Sequence, residues 1–106
     1  MDIAIESSTD PSGRSVLRVA GAVDLQTRER LLQAARDALA SSPKALVLDL
    51  DAVNFIDSTG IGALVELGHD AAEEGGGLVI RDPSPRVTRI LEISGLADAW
   101  ETERSS

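Results

Sequence analysis

The chain has 106 residues, with 18 acidic and 10 basic side chains, a formal net charge of -8 and no cysteine. This length supports one domain with one hydrophobic core. The acidic balance argues against a nucleic-acid partner, and the lack of cysteine excludes disulfides and thiolate metal sites. No apolar run reaches the ~20 residues of a membrane span, and no signal peptide is evident. We therefore expect a cytoplasmic domain that does not insert into a membrane.

The first half of the chain shows two strand patterns, a helical pattern and a third strand. Ile3 and Ile5 alternate with less apolar residues, and a turn at residues 10–13 leads into a strand over residues 16–20, so a hairpin is predicted. The apolar residues at 31, 35, 38 and 39 have the spacing of an amphipathic helix that ends at residues 41–43. Residues 45–50 are apolar except for Asp49 and predict a central strand covered on both faces.

The second half adds two helices and a strand. A helix is predicted over residues 58–74, and the glycines at 75–77 end it. Its expected buried face consists of Ile61, Leu64, Val65, Gly68 and Ala72. After a short strand at residues 78–80, Ser84 and Pro85 begin a third helix as N-cap and first helical residue. Val87, Ile90 and Leu91 form its expected buried stripe, with Gly95 just past its end.

The order β-β-α-β-α-β-α predicts a single α/β domain. Strand–helix–strand alternation favours a mainly parallel sheet, and the opening hairpin adds an antiparallel strand. We expect the domain to cover residues 1–100, with a last short strand possible at residues 96–100 and Trp100 at the edge of the core. Residues 101–106 are expected to form a frayed tail.

The most informative segment is residues 57–60, Asp-Ser-Thr-Gly, between the central strand and the second helix. A helix N-terminus presents unpaired N–H groups and a positive dipole end, which favour a phosphate or another anion. We expect Ser58 to be the N-cap and to bond the N–H of Gly60 or Ile61. The hydroxyl is thus interpreted as a group that is modified rather than one that catalyses.

Three other interpretations of this segment fail on particular residues. A serine hydrolase needs a base near its hydroxyl, and the only histidine, His69, lies eleven residues along the helix, about 16 Å away. Acyl carrier proteins have serine after aspartate at a helix start, but they are all-helical. A two-component receiver domain needs an acidic pair after its first strand and a lysine after its last one. The sole lysine, Lys44, precedes the central strand instead.

Several segments, in order along the chain, resemble the STAS domains of bacterial anti-sigma factor antagonists. They are residues 21–24, Gly-Ala-Val-Asp; residues 48–50, Leu-Asp-Leu; residues 55–62, Phe-Ile-Asp-Ser-Thr-Gly-Ile-Gly; the glycines 75–77; and Val87, Ile90, Leu91, Gly95 and Leu96. The resemblance covers essentially the whole chain. It implies a mixed sheet of four or five strands with helices packed mainly on one face.

The resemblance also implies a function and a set of site residues. In that family an ATP-dependent anti-sigma factor kinase phosphorylates the serine that corresponds to Ser58. Thr59 matches an accompanying hydroxyl and a secondary acceptor, and Asp24 matches an acid near the acceptor. The unphosphorylated protein binds the anti-sigma factor and frees the sigma factor, and a PP2C-type phosphatase restores it after phosphorylation. The expected partner-binding residues are Asp24, Asp57, Ser58, Thr59, Gly60, Ile61 and Gly62.

The surface formed by these residues is expected to have three properties. Gly60 and Gly62 should leave the backbone uncovered, so that a partner can approach closely. Asp24 should lie beside the start of the second helix while contributing little to stability, as surface residues usually do. No catalytic, cofactor or metal site is expected. The rival interpretation keeps the fold but makes the chain a scaffold of a stress-sensing assembly or an accessory subunit of a lipid transporter, without phosphorylation of Ser58.

Overall fold

The computed structural model describes residues 2–74 and 76–105. Within them lie five strands and three helices in the order ββαβαβαβ. The strands are β1 (Ile3–Thr9), β2 (Ser15–Val23), β3 (Leu46–Ile56), β4 (Leu78–Arg81) and β5 (Glu101–Glu103). The helices are α1 (Arg28–Leu39), α2 (Ser58–Glu73) and α3 (Pro85–Ile93). The α/β class predicted from the sequence is confirmed.

All five strands form one mixed sheet in the spatial order β1-β2-β3-β4-β5. β1 and β2 form the predicted antiparallel hairpin, and the other neighbouring pairs are parallel. The order follows the chain because each helix returns it to start a parallel strand next to the previous one. The loops after β2, β3 and β4 therefore begin at the same edge of the sheet.

Strand β3 ends at Ile56, six residues beyond residue 50, where the predicted strand ended. Its extension pairs with the end of β2, where Ala22 lies opposite Phe55 and Val23 opposite Ile56. Two register shifts in this pairing interrupt the alternation of buried and exposed residues, so the extension lacks a regular strand pattern. The longer strand carries residues 57–60 beyond β4 and places them next to the end of β2.

The main core lies between the sheet and the helices. Buried residues of all three helices belong to one cluster with Leu46, Leu48 and Leu50 of β3, which confirms helices packed on one face. The predicted buried face of α2 was wrong in part. Leu67 and Ala71 are buried, whereas Ala72 is exposed.

The opposite face of the sheet carries a smaller apolar cluster of Val16, Ala45, Val47 and Val79. Val47 is fully buried in the centre of this row, as expected for a strand covered on both sides. Arg14 precedes β2, and its guanidinium bonds Glu103 on β5 at 2.9 Å. This face is therefore bordered by charged side chains, while the helices occupy the other one.

The C-terminal segment corrects two predictions. Residues 96–100 form turns rather than a strand, and Glu101–Glu103 pairs with β4 instead of fraying. Glu103 holds β5 in place, because Arg14 and Arg81 both donate to its carboxylate. The Arg14 guanidinium, with that of Arg81, lowers the pKa of Glu103. The sequence missed this strand because it is short, polar and stabilised by partners far away in the chain.

Local signals at the other helix ends agree with the structure. The Ser84 side chain caps α3 by accepting from the N–H of Val87, and Gly95 has a φ of +74° just after the helix. Gly77 has a φ of +79°, in keeping with a break after α2, while Gly75 lies outside the described residues. Trp100 packs at the edge of the core, as predicted.

Candidate functional site

Two strand-to-helix connections meet at one edge of the sheet. The first connection is residues 24–27, between β2 and α1, and the second is residues 57–60, which consists of Asp57 after β3 and the first three residues of α2. Val23 of β2 and Ile56 of β3 lie opposite each other in the sheet. Asp24 and Asp57 are the next residues along the chain, so they leave the sheet side by side. A Cβ atom on Gly60 would overlap the carbonyl oxygen of Val23. The structure thus brings Asp24 and the start of α2 together, as the sequence predicted.

Asp57, and not Ser58, is the N-cap of α2. Its backbone is extended, with φ -122° and ψ -170°, and its Oδ1 accepts from the N–H of Gly60 at 2.9 Å. Its carbonyl oxygen accepts the first intrahelical bond, from Ile61. The expectation for Ser58 was wrong by one residue. A carboxylate is a strong cap here because it both accepts the N–H and complements the positive end of the helix dipole.

Ser58 is consequently the first helical residue, and its side chain is exposed. Its hydroxyl forms no hydrogen bond with any residue that the structure describes, because Asp57 already performs the capping role. Exposure and the lack of an intramolecular partner leave the oxygen accessible to another protein. The arrangement allows Ser58 to accept a group without breaking a contact that holds the fold.

The residues after Ser58 differ in accessibility. Thr59 is half-buried, Gly60 and Ile61 are buried, and Gly62 is exposed. A Cβ on Gly62 would meet no atom within 4 Å, in agreement with an open backbone. Gly60, by contrast, packs against β2, so its expected role in leaving the backbone open to a partner was wrong. Its lack of a side chain serves the packing of α2 on the sheet.

Asp24 is buried, with 8% of its surface exposed. Its Oδ1 accepts from the N–H groups of Gln26 at 2.9 Å and Thr27 at 3.1 Å. The Thr27 hydroxyl accepts from the N–H of Asp24 at 3.0 Å and donates to the carbonyl oxygen of Ala22 at 2.7 Å. The expectation that Asp24 contributes little to stability conflicts with this geometry, since it organises the turn before α1.

The second carboxylate oxygen of Asp24 is not used in this way. Oδ2 forms no hydrogen bond with the residues described, yet no buried side-chain oxygen among them lacks a partner. Oδ2 must therefore have some access to solvent. Asp24 can hold the turn with one oxygen and present the other at the sheet edge.

Three features around these connections were not predicted from the sequence. Leu25, directly after Asp24, is 73% exposed. On the other side, Arg86 lies over the ring of Phe55, with 5.6 Å between its guanidinium carbon and the ring centroid. Arg86 and Arg89 also line a groove that begins at Ile56. A sequence signal existed for Arg86, because a cation in the first turn of a helix opposes the helix dipole.

The described residues show neither a metal-binding cluster nor a membrane-spanning helix. Residues 2–74 and 76–105 contain no group of three acidic or histidine side chains placed to hold a metal ion. In the same residues, no helix has the length and hydropathy needed to cross a membrane.

Comparison with known proteins identifies the family. Residues 3–106 match the family model described as the STAS domain. The chain belongs to the STAS domain family. A curated relative is the anti-sigma-B factor antagonist of Listeria monocytogenes, which is 31% identical over 101 residues, covering 95% of this chain and 89% of the relative.

Solved structures of STAS proteins share the fold. An anti-sigma factor antagonist from Mycobacterium paratuberculosis has a TM-score of 0.84 and 31% identity, covering 96% of this chain and 86% of that one. The Bacillus cell fate determinant SpoIIAA in its phosphorylated form has a TM-score of 0.73 over 97% of this chain and 92% of that one. At 19% identity, the likeness to SpoIIAA supports the fold alone.

Proposed function

We propose that this STAS domain is an anti-sigma factor antagonist that is switched off by phosphorylation of Ser58. The observation that carries the proposal is the exposed Ser58 hydroxyl at the start of α2, next to a cap that Asp57 already provides. The name of the Listeria relative, anti-sigma-B factor antagonist, supports the same role. Unphosphorylated, the chain binds an anti-sigma factor and thereby frees a sigma factor.

Ser58 suits a phosphate because of its position on the helix. Phosphorylation adds about -1.5 to -2 charge, and the positive end of a helix dipole tolerates such a charge. The kinase is the anti-sigma factor itself, which transfers the γ-phosphoryl group of ATP to the Ser58 oxygen and releases ADP and a proton. A PP2C-type phosphatase hydrolyses the phosphoserine and returns the chain to its binding form. In this scheme the chain is a cytoplasmic substrate and binding protein rather than an enzyme.

The phosphate prevents binding through charge and bulk. It adds a dianion next to the Asp57 carboxylate and close to the edge where Asp24 has its second oxygen. A partner that fits this surface before phosphorylation meets an uncompensated negative cluster afterwards. Juxtaposed like charges cost several kcal/mol at an interface, which corresponds to a hundredfold to thousandfold loss of affinity. The remaining proposed contact residues are Thr59, Ile61 and Gly62, with Gly60 acting through the packing of the helix.

Calorimetry with the anti-sigma factor encoded in the same genome tests this function. We expect Ser58→Ala to bind like wild type and Ser58→Asp to bind about a hundredfold more weakly. Ser8→Asp is the matched control, because it adds the same charge at an exposed serine on β1, away from the two connections. Equal binding by Ser58→Asp and Ser58→Ala would contradict the switch and favour a scaffold role.

A phosphorylation assay tests the division of labour between the two proteins. The purified chain should incorporate phosphate from ATP only when the kinase is added, and Ser58→Ala should abolish the incorporation. Labelling by ATP alone that depends on Ser58 would show that the chain has catalytic activity of its own.

A further inference from the structure

A groove with two arginines lies beside the second connection. It has a volume of about 530 Å³ and is lined by Ile56, Pro85, Arg86, Arg89 and Ile90. Ile56 and Ile90 provide an apolar floor, and both arginine side chains are exposed. Ile56 precedes Ser58 by only two residues. Because two residues of chain span at most about 7 Å, this end of the groove lies close to Ser58.

The two arginines form a pair of cations without an ion pair on one helix of an acidic protein, although Arg18, Lys44 and Arg104 also lack an ion pair among the described residues. The chain has a net charge of -8, and Arg14, Arg28, Arg30, Arg36 and Arg81 all form ion pairs. Among the described residues, Arg86 and Arg89 have no acidic partner within 4.0 Å. Arg86 also occupies the first turn of α3, where a cation is unfavourable for the helix. The groove therefore has a positive rim that no ion pair among the described residues neutralises.

The Phe55 ring orients one of these charges. The guanidinium of Arg86 lies 5.6 Å from the ring centroid, within the range of a cation–π interaction. Arg89 follows at i+3, which places the two side chains on neighbouring positions of one helix face. Because the Arg86 side chain is already ordered on the ring, less conformational entropy is lost when an anion binds it. Guanidinium groups arranged in this way suit carboxylates, which they can bond in pairs.

We infer that this groove receives an acidic segment of the partner protein, with an aliphatic side chain against Ile56 and Ile90 and carboxylates on Arg86 and Arg89. The inference rests on the proposed function, since the partner is the anti-sigma factor. The inference specifies which groups of the partner bind, and it places their contact on α3, outside the two connections. A phosphate on Ser58 would repel the same acidic segment. Phosphorylation would therefore weaken the contact in the groove as well as the contact at the two connections.

A peptide titration tests the groove without the partner. The probes are two ten-residue peptides of alternating Glu and Leu or of alternating Lys and Leu, added to the ¹⁵N-labelled chain and followed by NMR. The Glu-Leu peptide should shift the resonances of Ile56, Arg86 and Arg89, and the double variant Arg86→Gln/Arg89→Gln should abolish these shifts. Shifts that persist in the double variant, or that are equal for the Lys-Leu peptide, would overturn the inference.

A second measurement uses the anti-sigma factor itself. Arg86→Gln and Arg89→Gln should each weaken binding about tenfold, as expected for loss of a charge pair at an interface. Arg18→Gln is the matched control, because Arg18 is exposed on β2 and forms no ion pair among the described residues. If wild type binds and the groove variants match Arg18→Gln within twofold, the inference is wrong while the proposed function stands. If wild type does not bind, the proposed function fails and the peptide titration decides about the groove.

Discussion

The two connections at the sheet edge are built from similar residues and differ in what they leave accessible. Each begins with an aspartate whose Oδ1 accepts a backbone N–H, from Thr27 in the first connection and from Gly60 in the second. The hydroxyl of Thr27 is buried and bonded to the backbone on both sides. The hydroxyl of Ser58 is exposed, with no bond among the described residues.

The spacing between aspartate and hydroxyl accounts for this difference. Thr27 comes three residues after Asp24, so the turn brings its hydroxyl back to the N–H of Asp24. Ser58 follows Asp57 directly and is already helical, so Asp57 makes the capping bond and the Ser58 hydroxyl takes no part in it. An aspartate near a hydroxyl is therefore no indication of function in itself. The position of the hydroxyl relative to the cap decides whether it is structural or available for modification.

The largest effect is expected at Thr27. Thr27→Val keeps the shape but removes the hydroxyl, which leaves the N–H of Asp24 and the carbonyl of Ala22 without their partner. We expect the free energy of unfolding to fall by about 3 kcal/mol, because unpaired buried polar groups cost about 1–3 kcal/mol each. Urea unfolding measures this, with Thr27→Ser as the control that keeps the hydroxyl. A loss below about 1 kcal/mol would mean that the first connection is no more structural than the second.

The next largest effect tests the contact between the connections. A Cβ on Gly60 would overlap the Val23 carbonyl and lie 2.7 Å from Cγ1 of Ile56, so Gly60→Ala must displace the start of α2. We expect a loss of about 2 kcal/mol in the free energy of unfolding, within the range for overpacking. Gly62→Ala is the control on the same helix, and it should gain up to about 1 kcal/mol through helix propensity. Equal thermal stability of the two variants would contradict the close packing at Gly60.

A smaller effect is expected when Asp24 loses its charge. Asp24→Asn keeps an oxygen for Gln26 and Thr27 but weakens both bonds, so we expect a loss of about 1 kcal/mol in the free energy of unfolding. If Oδ2 also faces the kinase, phosphorylation of Ser58 should change several-fold in the folded variant. Thermal unfolding and initial phosphorylation rates separate the two effects. A normal rate alongside reduced stability would restrict Asp24 to the turn.

The smallest effect on stability is expected at Ser58. Ser58→Ala removes a hydroxyl with no partner among the described residues, so the free energy of unfolding should stay within about 0.5 kcal/mol of wild type. Ser58→Asp should be equally stable or slightly more so, because an acid in the first helical turn complements the dipole. Urea unfolding of both variants provides the measurement. A loss above about 1 kcal/mol would show that the hydroxyl has a structural role after all.

Much of the fold was predictable because its signals are local. The apolar period marked α1, and Ser84 followed by Pro85 marked the start of α3, where Ser84 does accept from Val87. A capping residue in the sequence also marked the start of α2, but the sequence could not show whether Asp57 or Ser58 is the N-cap. Aspartate and serine are both good N-caps, and only the extended backbone of Asp57 decides between them.

The sequence by itself determined the hairpin, the helix faces in outline, the acidic surface and the position of the acceptor serine at a helix start. These features depend on residues within a few positions of each other, or on composition. Tertiary structure decided the length of β3, the existence of β5 and the packing of Gly60 on Val23, because each depends on a partner distant in the chain. It also decided that Asp24 is buried and that Arg86 meets Phe55. Strand pairing and ion pairs join residues that are far apart in the chain, so a local sequence pattern cannot predict that they meet.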